Sequence, residues 1–121
     1  MADKVIINLA TGLEDEERVM IAFLVAVPAA EQGKKVLTFL TKDAVHLGVP
    51  GVAKGTACEG CPPIERLFEQ YAAAGGELML CPICVNARNV DDSNLVPNAR
   101  VGGATPLWEW IGDDTPVVFS Y

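Results

Sequence analysis

The sequence predicts an α/β domain, a three-layer sandwich built on a mostly parallel sheet of about five strands. Three observations carry that expectation. Short continuous apolar runs alternate with longer helical patterns along the whole chain. Glycine, proline or acidic residues punctuate nearly every junction. The chain has 121 residues, enough to bury one core and too few for two, so residues 1–121 are expected to form a single domain.

Val5-Ile6-Ile7-Asn8-Leu9 is the first buried strand, and Thr11-Gly12 breaks it. The acids at Glu14, Asp15, Glu16 and Glu17 suit the positive end of a helix that continues through the apolar stretch from Val19 to Ala30 toward Gln32 and stops at Gly33. Pro28 is expected to kink or weaken it. Its apolar surface is wider than one sheet contact requires, which suggests deep core together with a subunit interface. Val36 to Leu40 is the second strand, and Thr41-Lys42-Asp43 leads into a short helical turn through Ala44 and Leu47. The stretch 48–63, "GVPGVAKGTACEGCPP", has no periodicity and reads as a long loop, a kind of segment that often carries function.

Pro62-Pro63 announces a helix in which Ile64, Leu67, Phe68, Tyr71 and Ala72 fall on one face, and Gly75-Gly76 ends it. Leu78-Met79-Leu80 is the third strand. Cys81-Pro82 then turns the chain into another helix with proline at its first position. After the polar loop 91–94, Ala99-Arg100-Val101 is a short strand. Thr105-Pro106 is expected to cap a helix through Leu107, Trp108, Trp110 and Ile111 that Gly112 closes, and Pro116 to Phe119 is the last strand. Strands alternating with helices require parallel pairing, because parallel neighbours need crossover connections. Trp108 and Trp110, two apart on one helix, cannot face the same way, so one is assigned to the core and the other to an interface.

Composition narrows the function. The chain is 50% hydrophobic and 21% charged, a well-buried globular composition. Its 9 basic and 16 acidic residues give a formal charge of −7, with no basic run, which speaks against nucleic acid or an anionic membrane as partner. Val19 to Ala30 is too short for the roughly 20 residues a bilayer span requires. "MADKVIINLA" lacks the layout of a secretory signal, so a cytoplasmic protein with reduced thiols is expected, and structural disulfides are the poorest account of its cysteines.

Those cysteines are the chemical signal. The chain has 4, arranged as Cys58-x-x-Cys61 and Cys81-x-x-Cys84. In an open parallel sheet, the loops at the carboxyl ends of the strands share one edge, where ligands bind. Segments 8–12, 41–46, the end of the long loop and 81–84 all belong there. Cys81, at a helix N-terminus, faces unpaired backbone N–H groups that favour thiolate, and Cys84 and Arg88 lie on its helical stripe. Thr41, Lys42 and His46 border the same edge, and His46 is the sole histidine available to a Cys–His pair.

Several readings remain open at this point. All four cysteines together match the spacing of a tetrahedral zinc or iron–sulfur site. Cys81-Pro-Ile-Cys84 at a strand-to-helix junction also suits a dithiol redox motif, although two strand–helix units precede it, which argues against the thioredoxin fold. Inert buried thiols are a further possibility.

The order of elements resembles the DsrE/DsrF-like (YchN-like) family of small sulfur-relay proteins. The residues that carry the likeness are the N-terminal strand and long apolar helix, "KKVLTFLTKDAV" as second strand and turn, the long loop into an amphipathic helix, and "GGELMLCPIC", which sets a cysteine after the third strand. The resemblance covers essentially the whole chain. It implies a layered α/β fold, homo-oligomers such as trimers or hexamers, sulfur donor and acceptor proteins as partners, no resident cofactor, and a persulfide-carrying cysteine at Cys81, possessing sulfurtransferase activity where transfer is catalytic. Relay members can work with one cysteine here. This chain adds Cys84, Cys58 and Cys61, which can act as resolving thiols.

Overall fold

A strand covered on both faces must be apolar at consecutive positions, and three segments of this chain meet that condition. The computed structural model describes residues 3–121. Its strands are β1 (Lys4–Leu9), β2 (Lys35–Leu40), β3 (Glu77–Leu80), β4 (Ala99–Val101) and β5 (Val117–Ser120). They form one sheet in the order β4-β3-β2-β1-β5, and every neighbouring pair is parallel. The helices are α1 (Glu16–Glu31), α2 (Ile64–Ala73), α3 (Pro82–Ala87) and α4 (Ala104–Ile111). Short 3-10 turns at Leu13–Asp15 and Lys42–Gly48 complete the connections.

Pleating divides the strand residues between two faces. Val5, Ile7, Leu9, Val36, Leu40, Leu78 and Leu80 point into a core shared with α1 and α2, where Val19, Phe23, Ala26, Ile64 and Tyr71 meet them. Each fully buried Leu, Ile or Phe contributes about 1.5–3 kcal/mol relative to exposure. Phe23 anchors the contact between the helices, with its ring 4.7 Å from Phe68 and edge-on to Tyr71 at 5.2 Å. The one buried hydroxyl pair on this face is satisfied: Thr38 Oγ1 donates to the Tyr71 hydroxyl at 3.0 Å, which donates in turn to the Glu77 carbonyl at 2.6 Å. Burial raises the Tyr71 hydroxyl well above its usual pKa, so it stays protonated.

The opposite face buries Ile6, Leu37 and Met79, and α4 crosses it. The Trp110 indole N–H donates to Glu77 Oε2 at 3.0 Å, while Arg100 pairs with Glu77 Oε1 at 2.6 Å. Lys4 donates to the Ile111 carbonyl at 3.0 Å and reaches Asp114 at 2.9 Å, holding the end of α4 against β1. The result is the expected three layers, with a single helix as the third.

Two boundaries differ from expectation, and the helix proline lies within a single element. The acids 14–17 straddle a 3-10 turn and a helix start: Asp15 is the cap of α1, its carboxylate accepting from the Arg18 N–H at 3.1 Å. The α4 cap is Gly103, so Thr105 and Pro106 lie inside the first turn. α1 runs through Pro28, which sits on its exposed side, as one helix. Of the two tryptophans, Trp110 is half-buried and Trp108 is 69% exposed. No described helix is long and apolar enough to cross a membrane.

Candidate functional site

Because every strand runs the same way, Leu9, Leu40, Leu80 and Val101 end on a common edge, and the segments that leave them build the site. Cys81 continues the ladder one residue past β3: its N–H donates to the Leu40 carbonyl at 3.0 Å. With φ −61° and ψ 122° it then turns the chain into α3, with Pro82 at the first helical position. Its carbonyl accepts the first helical hydrogen bond, from the Val85 N–H at 3.0 Å.

This position decides the chemistry of the thiol. Partial burial by itself pushes the Cys81 pKa up. The backbone N–H groups at the start of α3, on Cys84 and Ile83, and the Cys84 side chain pull it down, and the net direction is a thiol below its ordinary value, with no capping hydrogen bond formed to the sulfur itself. Those N–H groups are the ones that a helix start offers. Neither His46 nor Arg88 takes part.

Cys84 sits one turn on, and its sulfur accepts the Lys42 backbone N–H at 3.1 Å. Lys42 has φ 53°, a left-handed conformation that costs a non-glycine residue roughly 1–2 kcal/mol. The sharp turn there swings its N–H away from the end of β2 and onto Cys84. Both free thiols, Cys81 and Cys84, are half-buried.

Arg88 caps α3 at its far end, and its guanidinium is engaged by Asp43: Nε donates to Oδ1 at 2.7 Å. That contact holds the Asp43 carboxyl below the usual carboxylate range and raises Arg88. The positive charge expected beside the thiols is therefore largely matched, and Arg88 reaches the Cys84 carbonyl at 3.5 Å rather than a sulfur. Thr41 contributes backbone, donating to the Leu9 carbonyl at 3.0 Å. His46 is half-buried in the 42–48 turn, where its carbonyl accepts from Val49, and among the described residues its ring makes no hydrogen bond to a thiol.

Sequence reasoning missed two supports of this edge. One is Asp43, whose position next to Lys42 was the available signal. The other is Gly12: a Cβ there would stand 2.6 Å from the Asp43 carbonyl oxygen, so only glycine lets the end of β1 pass so close to the end of β2. Gly12 also donates its N–H to Glu14 Oε1 at 2.7 Å.

The first cysteine pair stands apart in form. Cys58 and Cys61 are joined in a disulfide, with their Cα atoms 5.1 Å apart. This corrects the expectation of four reduced thiols. The Cys61 N–H closes a turn onto the Cys58 carbonyl at 3.0 Å, and Gly60, at φ 78°, supplies the left-handed residue the turn needs. The pair precedes the N-terminus of α2, and α2 ends at the turn into β3, so the disulfide belongs to the same carboxyl side of the sheet as Cys81. Among the described residues no hydrogen bond joins the two pairs, and no group of three or more His, Cys, Asp or Glu side chains is placed to hold a metal ion. Cys81 and Cys84 could offer two of the four ligands that a structural zinc site requires. The four-cysteine cage is thus not assembled in this geometry.

The DsrE/DsrF-like family pattern matches residues 3–119. The chain belongs to the DsrE/DsrF-like family. In overall structure it is similar to the ychN protein from E. coli, at a TM-score of 0.77 and 22% identity, with 100% of each chain covered. It is also similar to a conserved protein of unknown function, BT1422, from Bacteroides thetaiotaomicron, at a TM-score of 0.65 and 20% identity over 98% of this chain and 95% of that one. At these identities the likeness concerns the fold. A comparison with curated proteins finds no match.

Proposed function

We propose that this DsrE/DsrF-like protein carries sulfur, taking it up on Cys81 as a persulfide and passing it to a partner protein. The observation that carries the reading is the place of Cys81, a free, half-buried thiol at the end of β3 and the start of α3 with the free thiol Cys84 one turn on, a setting that lowers its pKa. The Cys81 thiolate attacks the outer sulfur of a donor persulfide. The donor's S–S bond breaks, the donor thiolate leaves, and Cys81 holds the extra sulfur. Attack by an acceptor thiolate on that outer sulfur returns Cys81 to thiolate, which makes the protein a sulfurtransferase in the chemical sense.

Cys84 adds a second outcome. Its thiolate can attack the inner sulfur of the Cys81 persulfide, forming a Cys81–Cys84 disulfide and releasing hydrosulfide. The pair is then oxidised by two electrons and needs an external thiol to reset it. Cys58 and Cys61 act as the auxiliary couple, and their disulfide favours a second reading in which the protein exchanges dithiol for disulfide. Lys42 places the donor on Cys84, while Arg88 and Asp43 fix α3 over the turn that Thr41 begins and His46 continues. No resident metal or cofactor is required. Ile83, 78% exposed beside Cys81, is an apolar contact for donor and acceptor proteins. The open apolar residues Ile21 and Leu24 of α1, Trp108 of α4 and Phe119 of β5 suit a cytoplasmic homo-oligomer, trimeric or hexameric as the family resemblance implies.

Incubation with inorganic polysulfide followed by peptide mass analysis tests the assignment. One added sulfur confined to the Cys81 peptide, and absent in Cys81→Ser, is the expected result. Sulfur distributed over all four cysteines, or zinc or iron bound at one per chain in protein purified without added metal, overturns it.

A further inference from the structure

A hollow of about 410 Å³ opens on the core face of the sheet, and no cysteine lines it. Its floor is made of Phe23, Leu47, Tyr71 and Leu78, all buried. One wall is the 49–54 segment of the long loop, and the other is the flank of α2 at Phe68 and Ala72. Ala53 and Ala72 are among the small side chains that line it, and Pro50 and Pro97 stiffen the backbone around it. The gap is therefore framed by fixed elements, and its size lies within the roughly 300–1,000 Å³ of small-molecule sites.

The chemistry of the hollow is divided between floor and rim. Tyr71 lies fully buried beneath the hollow with its hydroxyl bonded to Thr38 and the Glu77 carbonyl, and Asn98 on the lining spends its amide nitrogen on the Gly76 carbonyl at 2.9 Å, so the interior offers mainly apolar contact. At the rim stand Lys54, Glu65 and Glu69, two carboxylates against one ammonium, in a chain of formal charge −7. That balance repels an anionic head group. We infer that this hollow is a binding site for a small aromatic molecule that is uncharged or cationic, seated with its ring against the half-buried Phe68. The site is independent of the sulfur chemistry: it uses none of the thiols.

Titration of the full chain with N-phenylnaphthylamine, an uncharged aromatic fluorophore, tests it. The fluorescence rise is expected to saturate at one molecule per chain. Ala72→Trp, at an exposed helix position on one wall, and Val52→Trp on the other should fill the hollow and weaken binding by roughly tenfold or more at an unchanged circular dichroism spectrum. The anionic relative anilinonaphthalenesulfonate should bind roughly tenfold more weakly than the neutral dye, and Glu69→Lys should narrow that gap. Loss of binding in either folded blocking variant supports the site. Binding that does not saturate, that survives in both variants, or that is as tight for the anion as for the neutral dye overturns it.

Discussion

The two Cys-x-x-Cys pairs have the same spacing and opposite conditions. Cys58 and Cys61 lie on a loop turn that Gly60 folds tightly, and their sulfurs are joined. Cys81 and Cys84 lie at a strand-to-helix junction, where the Cys84 sulfur accepts a backbone N–H, Cys81 sits at the helix start, and both thiols stay free. Spacing alone brings two sulfurs within reach of each other. The backbone around them determines whether the pair serves as a closed clasp or as a poised nucleophile with a neighbour.

That contrast can be broken most severely by Cys81→Ser, which is expected to abolish sulfur uptake from polysulfide while leaving the melting temperature near that of the parent. Cys58→Ser should do the reverse. A clasp across so short a loop stabilises the fold by about 2 kcal/mol in the chain-entropy account, so thermal melting should fall while loading at Cys81 persists. If Cys58→Ser removes loading as well, the two pairs work as one unit and the contrast fails.

A smaller effect sharpens the role of the neighbour. The Cys81 thiol is lowered by groups that include the Cys84 side chain, so its alkylation rate should reach half-maximum at a pH below the roughly 8.5 of a free cysteine. Cys84→Ala removes that group, and the midpoint should move up toward that value. An unmoved midpoint would assign the whole shift to the backbone of α3. Smallest of all, Asp43→Asn loosens the ion pair with Arg88, in which the side chains are 51% and 27% exposed. Solvent screens so exposed a pair, so denaturant midpoints should shift little and sulfur loading should remain.

Much of this fold was legible because apolar runs and punctuating residues state the elements directly. The three central strands, the amphipathic face of α2 and the junction at Cys81-Pro82 all stand where those patterns put them. The site was legible in part, since Cys81 could be placed at a helix start from Pro82 alone. What escaped depends on tertiary approach. Nothing in a lysine signals the left-handed turn at Lys42, and nothing in Gly12 signals that Asp43 will lie against it. The disulfide was unreadable for another reason: a pair of cysteines carries no record of its oxidation state, and the expected compartment argued for thiols. The α4 cap was misread because Thr105 is a good capping residue by type, while Gly103, next to Pro82, is where the chain turns.

The strand order has a consequence for how the protein is made. β1 to β4 are laid down side by side in the order of synthesis, but β5 returns to the far edge of β1, where Val5 pairs with Val117 and the Ala10 N–H donates to the Tyr121 carbonyl at 3.0 Å. A nascent chain can therefore close its α1–α2 core over four strands while β1 still presents a bare edge. Until the last strand emerges, that edge is open to any passing strand. Completion of the sheet pairs β1 with β5, strands far apart in sequence, and contacts of that range form slowly.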